Sequence, residues 1–279
     1  MKNFLIVART EDAPYDVLIK RVCNIIEENG GTVSVTTNPS SEGREYSQID
    51  VPEGTECIIS VGGDGTMIRT AQNTTTAGVP IVGLNSGHLG YLCDMDEKNL
   101  DESMEKLFKG DFGFEKRMML EGGVGDGGIK YKSLNDIVIS SSSSGHSVIN
   151  LKVNINGSDL LAYDCDGMIF ATPTGSTAYN MSAGGPIANP KSKTILLTPI
   201  NAHTLNSRSI ILDADDVIKV TLVSRRADAS ERAEVSFDGN HRIVIKPGET
   251  VNISRSNDTT GIITIAGTNF MERMKMRMQ

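Results

Sequence analysis

The stretch from Ile58 to Thr70 constrains the fold most. Ile58-Ile59-Ser60-Val61 runs into Gly62-Gly63-Asp64-Gly65-Thr66, and a helix-compatible segment, Met67-Ile68-Arg69-Thr70, follows. A short apolar run closed by glycines reads as a buried strand leading through a tight turn into a helix. Glycines let the backbone adopt positive φ and approach a ligand closely. The first N–H groups of a helix lack partners and carry partial positive charge, which suits phosphate. Asp64 is at odds with a plain anion cradle, because two like unit charges about 4 Å apart cost about 4 kcal/mol at an effective dielectric of 20. A carboxylate belongs there if it holds a metal, accepts a proton or binds a hydroxyl. The structural alternative is an ordinary βα turn with an Asp N-cap.

Around this turn, strand and helix alternate. Residues 3–8 read as a strand. Leu18, Val22, Ile25 and Ile26 recur at helical spacing, and Gly30-Gly31 stops that helix. Val33–Thr36 is a second strand, Gly78–Asn85 another, and residues 97–109 a helix with Leu100, Met104, Leu107 and Phe108 on one face. The alternation predicts an open, Rossmann-like α/β domain over residues 1–113 with a mostly parallel sheet. Ligands of such sheets bind at the carboxyl ends of strands. Both Gly62–Thr66 and Asn85–Gly90 fall there.

Beyond residue 113 helical periodicity nearly vanishes. Ile149–Ile155, Asn156-Gly157 and Leu160–Tyr163 make a hairpin signal, and Val235–Ile245 makes another around Asp238-Gly239. Further strands are expected at 194–200, 209–212, 217–223, 249–254 and 261–266. This predicts an all-β sandwich over residues 114–266, followed by a tail at 267–279 that either docks on the N-terminal domain or frays. Gly123-x-Gly125-x-x-Gly128 matches a dinucleotide fingerprint in letters only. Ile129–Lys132 after it reads as a strand where the motif needs a helix.

Composition excludes several classes of function. The 27 Lys and Arg against 35 Asp and Glu give a formal charge of -8, which argues against nucleic acid or an anionic membrane as the main partner. No apolar run approaches the roughly 20 residues that span a bilayer. The apolar core at residues 4–8 is too short for a signal peptide. Cys23, Cys57, Cys93 and Cys165 show no paired spacing, which fits reduced thiols in a cytoplasm. His88, His203 and His241 show no metal-ligand spacing.

The second signal is Asp166-Gly167-Met168-Ile169-Phe170-Ala171-Thr172-Pro173-Thr174-Gly175-Ser176-Thr177-Ala178-Tyr179, continuing to Pro186. Alone it reads as a loop whose hydroxyls bond their own backbone. Together with Gly-Gly-Asp-Gly-Thr, with Leu134-Asn135-Asp136, with Leu197-Thr198-Pro199-Ile200 through His203, and with Val235–Gly239, the chain strongly resembles the NAD kinase family. The likeness covers nearly the whole chain.

The resemblance implies transfer of the γ-phosphoryl group of ATP to the 2′-hydroxyl of the adenosine ribose of NAD, giving NADP. It implies Mg²⁺ or another divalent cation travelling with ATP, and a cytoplasmic homodimer or homotetramer. By position, Asp64 matches the proton acceptor and, with Gly65, the catalytic turn. Arg69 matches a basic ligand contact, and Tyr91 an aromatic lining the adenine pocket. Asn135 and Asp136 match the pair holding adenine and ribose. Asp166, Thr177, Ala178, Tyr179 and Ser182 match contacts to the second nucleoside. His146 and Asn240 fall at weaker contact positions. Asp164 departs from the pattern, since many relatives carry a basic residue there. As a base, Asp64 starts from a reference pKa of about 3.9. Proton acceptor, hydroxyl orienter and metal partner therefore all stay open.

Overall fold

The computed structural model describes residues 1–9, 13–38, 48–85, 90–142, 148–203, 207–225, 231–265, 267 and 269–278. The side chains of 13–16 and 276–278 fall outside that description. So do predicted features at His146, at 86–89 within the Asn85–Gly90 stretch, and in the loop after residue 38 as far as 47. Two compact units emerge, Met1–Arg117 with Thr259–Gln279, and Met118–Asp258.

The first unit contains β1 (Asn3–Ala8), α1 (Ala13–Glu28), β2 (Thr32–Thr37), β3 (Cys57–Val61), α2 (Asp64–Thr74), β4 (Ile81–Asn85), β5 (Met95–Asp96) and α3 (Leu100–Lys109). Its sheet runs β2-β1-β3-β4, parallel at each step. Each residue of β3 and β4 is buried, as a parallel sheet covered on both faces requires. The core joins Phe4, Ile6, Ile59 and Leu84 of the strands to Val22, Ile26, Met104 and Leu107 of the helices. The predicted helix at 97–109 begins at Leu100, because the Asp96 carboxylate accepts the N–H groups of Lys98 and Asn99 (2.9 Å each) and turns the chain first.

The second unit is all-β. It takes β6 (Gly113–Val124) from Met118 onward, then β7 (Tyr131–Ser133), β8 (Asp136–Ser141), β9 (Ile149–Ile155), β10 (Ser158–Cys165) and β11 (Gly167–Ala171). A 3-10 turn (Gly175–Thr177) and a single helical turn, α4 (Tyr179–Ser182), interrupt the strands. Then come β12 (Thr194–Ile200), β13 (Ile210–Asp213), β14 (Ile218–Val223), β15 (Ala233–Phe237), β16 (His241–Ile245) and the start of β17 (Thr250–Thr264). One sheet is antiparallel in the order β13-β12-β11-β8-β15-β16. In the other, β10, β9, β14 and the first half of β17 pair antiparallel. Tyr131 packs on Phe237 at 5.0 Å between ring centroids, so the two sheets share a core, as a sandwich does. Both hairpin turns take positive φ where predicted, at Asn156 (51°) with Gly157 (85°) and at Asp238 (50°) with Gly239 (71°). Gly123 lies at the end of strand β6, and Gly125 and Gly128 lie in the connection to β7, so the segment is not a dinucleotide turn.

One expectation needs correction. The strands predicted at 249–254 and 261–266 are one strand, β17, because the polar residues between them keep alternating burial, with Ser256 and Thr260 inside. Its second half enters the first unit and pairs parallel with β4 at Ile262 and Ile81. The tail is also ordered. Residues Phe270–Met278 form α5, begun by a reciprocal cap: Asn269 Oδ1 accepts the Glu272 N–H (3.0 Å) and Glu272 Oε2 accepts the Asn269 N–H (2.8 Å).

Candidate active site

In the first unit, β3 delivers the chain into the glycine turn. Gly62 (φ 150°) donates its N–H to the Leu84 carbonyl at 2.9 Å, and a Cβ there would stand 2.4 Å from Thr66 Oγ1. Helix α2 begins at Asp64 behind Gly63. The Asp64 carboxylate accepts three consecutive backbone N–H groups: Tyr91 (2.7 Å) on Oδ2, and Leu92 (3.1 Å) and Cys93 (3.2 Å) on Oδ1. Gly90 closes this grip, since a Cβ at 90 would lie 1.8 Å from Asp64 Oδ1. Gly65 is exposed beside Asp64, and Arg69 lies one helical turn further along the same face. Burial pushes the Cys93 thiol well above its usual range, with the Asp64 charge adding, so it stays protonated.

In the second unit a matching grip appears. The Asp238 carboxylate accepts the N–H groups of Leu134 (2.7 Å), Asn135 (2.8 Å) and Asp136 (2.9 Å). The Thr172–Ser176 run braces the same segment from the other side. Thr172 donates its N–H to the Asn135 carbonyl (2.8 Å) and its hydroxyl to the Leu134 carbonyl (2.6 Å). Gly175 passes so close that a Cβ would meet the Asn135 oxygen at 2.1 Å. Ser176 is fully buried and bonds the Pro173 carbonyl and the Ala188 N–H. Asn180, also fully buried, bonds the Pro186 carbonyl and receives the Thr198 hydroxyl. Most of the hydroxyls in the run therefore build the loop.

That loop and hairpin line an open pocket of about 410 Å³, with Asn135, Asp136, Ala178, Tyr179, Ser236 and Arg242 among its walls. Asp136 is buried there, and burial pushes its carboxyl up to about 8, with the Asp238 charge adding. Burial also lifts Asp238, to about 7, against three N–H donors that favour its ionised form. The two carboxyls titrate as a coupled pair, and the three N–H donors bias the charge toward Asp238.

Of the predicted residues, the structure brings Asp64, Gly65, Arg69 and Tyr91 to one turn of the first unit. It gathers Asn135, Asp136, Ala178 and Tyr179 around the cavity of the second. Asp166, Thr177, Ser182 and Asn240 lie outside that lining. Asp166 accepts the Asn201 side-chain amide at 3.0 Å, and Thr177 turns its hydroxyl to the Thr174 carbonyl at 3.4 Å. Asp164 pairs with Arg225 (3.4 Å) and Asn150 (3.0 Å). Sequence reasoning missed Asp238 as the holder of 134–136 and Gly90 as the lid over Asp64. Hairpin signal and glycine were visible, but what each faces was not.

The chain matches two family models, the ATP-NAD kinase N-terminal domain over residues 4–112 and the ATP-NAD kinase C-terminal domain over residues 134–265. A NAD kinase of Agathobacter rectalis is 38% identical over 280 residues, spanning 100% of this chain and 99% of that protein. A NAD kinase of Thermoanaerobacter pseudethanolicus is 40% identical over 82% of this chain and 80% of its own length. Among solved structures, yeast NADH kinase complexed with NADH aligns at TM-score 0.86 with 22% identity, covering 100% of this chain and 87% of that one. A NAD kinase from Archaeoglobus fulgidus in complex with ATP aligns at TM-score 0.76 with 24% identity and covers 94% of each chain. The two solved structures match the fold; the family models and the two sequence relatives span both units, and the chain belongs to the ATP-NAD kinase family.

Proposed function

We propose that the protein transfers the γ-phosphoryl group of ATP to the 2′-hydroxyl of the adenosine ribose of NAD, giving NADP. The observation that carries this reading is the Asp64 carboxylate, held at the head of a glycine-rich helix turn by three backbone N–H groups. A carboxylate offers about four lone-pair positions. Backbone N–H groups take three of them and the Cys93 thiol lies against the same carboxylate, so a substrate hydroxyl that displaces the thiol can take the fourth. Asp64 thereby orients the 2′-hydroxyl and takes its proton as the bond to phosphorus forms. Phosphoryl transfer needs mostly positioning and charge neutralisation. The α2 N-terminus, Gly65 and the Arg69 guanidinium supply neutralisation for the donor phosphates.

Among the described residues no group of three or more His, Cys, Asp or Glu side chains could hold a metal. The family resemblance brings a divalent cation in with the donor, as Mg-ATP. Asn135 offers a donor and an acceptor to the adenine edge, and protonated Asp136 a hydroxyl donor to adenine or ribose. Tyr91 lines the adenine site. Asp166, Thr177, Ala178, Tyr179 and Ser182 serve the second nucleoside, and His146 and Asn240 are weaker ligand contacts. Work in a cytoplasm fits the four free cysteines, and assembly as a homodimer or homotetramer follows the family resemblance.

Incubation with NAD and Mg-ATP, followed by enzymatic assay of NADP, tests the reading. NADP should accumulate in proportion to protein. Saturable NAD binding with no NADP above a protein-free control would mean a nucleotide sensor instead.

A further inference from the structure

The three N–H groups that grip Asp64 belong to a loop, and a loop keeps such an orientation only if something imposes it. Gly90, at its start, adds backbone freedom that works against a fixed geometry. Arg273 of α5 spans the loop from end to end. One guanidinium nitrogen donates to the Tyr91 carbonyl at 3.1 Å, and another stands 2.9 Å from Asp94 Oδ1. Asp94 is 1% exposed and its second oxygen accepts the Ile265 N–H at 2.6 Å, which ties the same point to the end of β17. The carbonyl that Arg273 binds shares a peptide plane with the Leu92 N–H, which donates to Asp64. A continuous chain results, from guanidinium to carbonyl, through the peptide to N–H, and on to carboxylate. Each link polarises the next in the same sense. If that peptide turned over, the Tyr91 oxygen would face the Asp64 carboxylate, and an attraction would become a repulsion.

We infer that Arg273 is a positioning residue for phosphoryl transfer, acting on Asp64 through the Tyr91–Leu92 peptide. The C-terminal helix is thus part of the catalytic apparatus without touching substrate. This rests on the reading of Asp64 as the group that receives the 2′-hydroxyl.

The test is kinetic. Removing Arg273 alone strands a buried carboxylate, so Arg273→Met is paired with Asp94→Asn to remove both charges together. The paired variant should melt as a folded protein and lose about 10- to 100-fold in kcat. The KM values for NAD and ATP should stay within about 3-fold, as for loss of an interaction made in the transition state. Arg273→Lys, a point charge that cannot fork across carbonyl and carboxylate, should fall between wild type and the paired variant. In an Asp64→Asn background the paired change should cost less than about 3-fold further, because the two sites act as one unit. An equal loss in both backgrounds, or a rise in KM at constant kcat, would overturn the inference. Full turnover in Asp64→Asn alone would instead remove the reading of Asp64 on which it stands.

Discussion

Asp64 and Asp238 are held alike and serve opposite ends. Each follows a strand into a glycine turn, and each carboxylate accepts three consecutive backbone N–H groups, from 91–93 in one unit and 134–136 in the other. At Asp64 the clamped group is the carboxylate. The loop orients it, and the proposed function assigns its remaining acceptor capacity to the substrate hydroxyl. At Asp238 the clamped group is the backbone. The carboxylate exists to orient the chain that carries Asn135 and Asp136 to the cavity wall. Identical hydrogen-bond patterns therefore do not imply identical roles. The informative question is which partner still has something left to offer a ligand.

The sharpest way to break this comparison is to neutralise each carboxylate. Asp64→Asn leaves one amide oxygen for three N–H donors, as Asp238→Asn does, and in addition cannot take a proton, so kcat should fall by about 10²- to 10⁴-fold while NAD affinity changes little. Asp238→Asn leaves one amide oxygen where two carboxylate oxygens served three donors. A buried donor left without a partner costs about 1–3 kcal/mol. That loss should appear in thermal stability and as a raised KM for NAD, with kcat much less affected. Should Asp238→Asn depress kcat as deeply as Asp64→Asn at unchanged KM, the division of roles is wrong.

A second pair of variants works at the glycines that close each grip. Gly90→Ala would place a methyl 1.8 Å from Asp64 Oδ1, and Gly175→Ala would place one 2.1 Å from the Asn135 carbonyl. The first has to push the carboxylate aside. A displacement near 1 Å at the reacting group costs about 10²-fold in rate, so kcat should drop on that scale. The second has to shift backbone at the cavity wall, and should raise the NAD KM by about 10-fold with a lower melting temperature. Steady-state kinetics with NAD varied at saturating Mg-ATP would separate the two. Matching losses in the same parameter would dissolve the contrast.

What the sequence disclosed divides along the same line. Local signals came through. The α/β alternation, both hairpins with their positive-φ turns, and the glycine turn before α2 are each set by residues within a few positions of one another. The cap at Asn269 and Glu272 was equally local, yet the alternating Met, Arg and Lys of the tail hid the helix behind it. β17 was broken in two because its polar middle looks like a turn, while in the fold those residues alternate in and out as any strand does. Asp238 was legible as a turn residue and silent as a clamp, since its three donors lie a hundred positions earlier. The Thr172–Ser176 hydroxyls bond backbone, as the Ser/Thr-rich composition of the run suggests: Thr172 ties the loop to Leu134, and Ser176 ties it to Pro173 and Ala188.

The smallest expected effect separates the two grips by pH. Asp238 clamps the segment that carries a second carboxyl, Asp136, which burial and the Asp238 charge push up to about 8, while Asp238 itself is lifted to about 7. In the unfolded chain both return to the ordinary Asp value of about 3.9. Between roughly pH 4 and pH 8 the folded protein thus keeps protons that the unfolded chain has released, so this pair makes stability fall as pH rises across that window. Below it both states are protonated, and above it both are ionised, and the contribution stops changing. Asp136→Asn cannot ionise and avoids the loss. Its stability relative to wild type should therefore improve from pH 5 to pH 8.5, by on the order of 2 kcal/mol. For a chain of this size that corresponds to a shift of roughly 4–8 °C in the difference between melting temperatures. A difference that stays constant across the pH range would mean that Asp136 is ionised throughout. The protonated donor assigned to the cavity wall would then be lost, while the Asp238 grip on the backbone would stand unchanged.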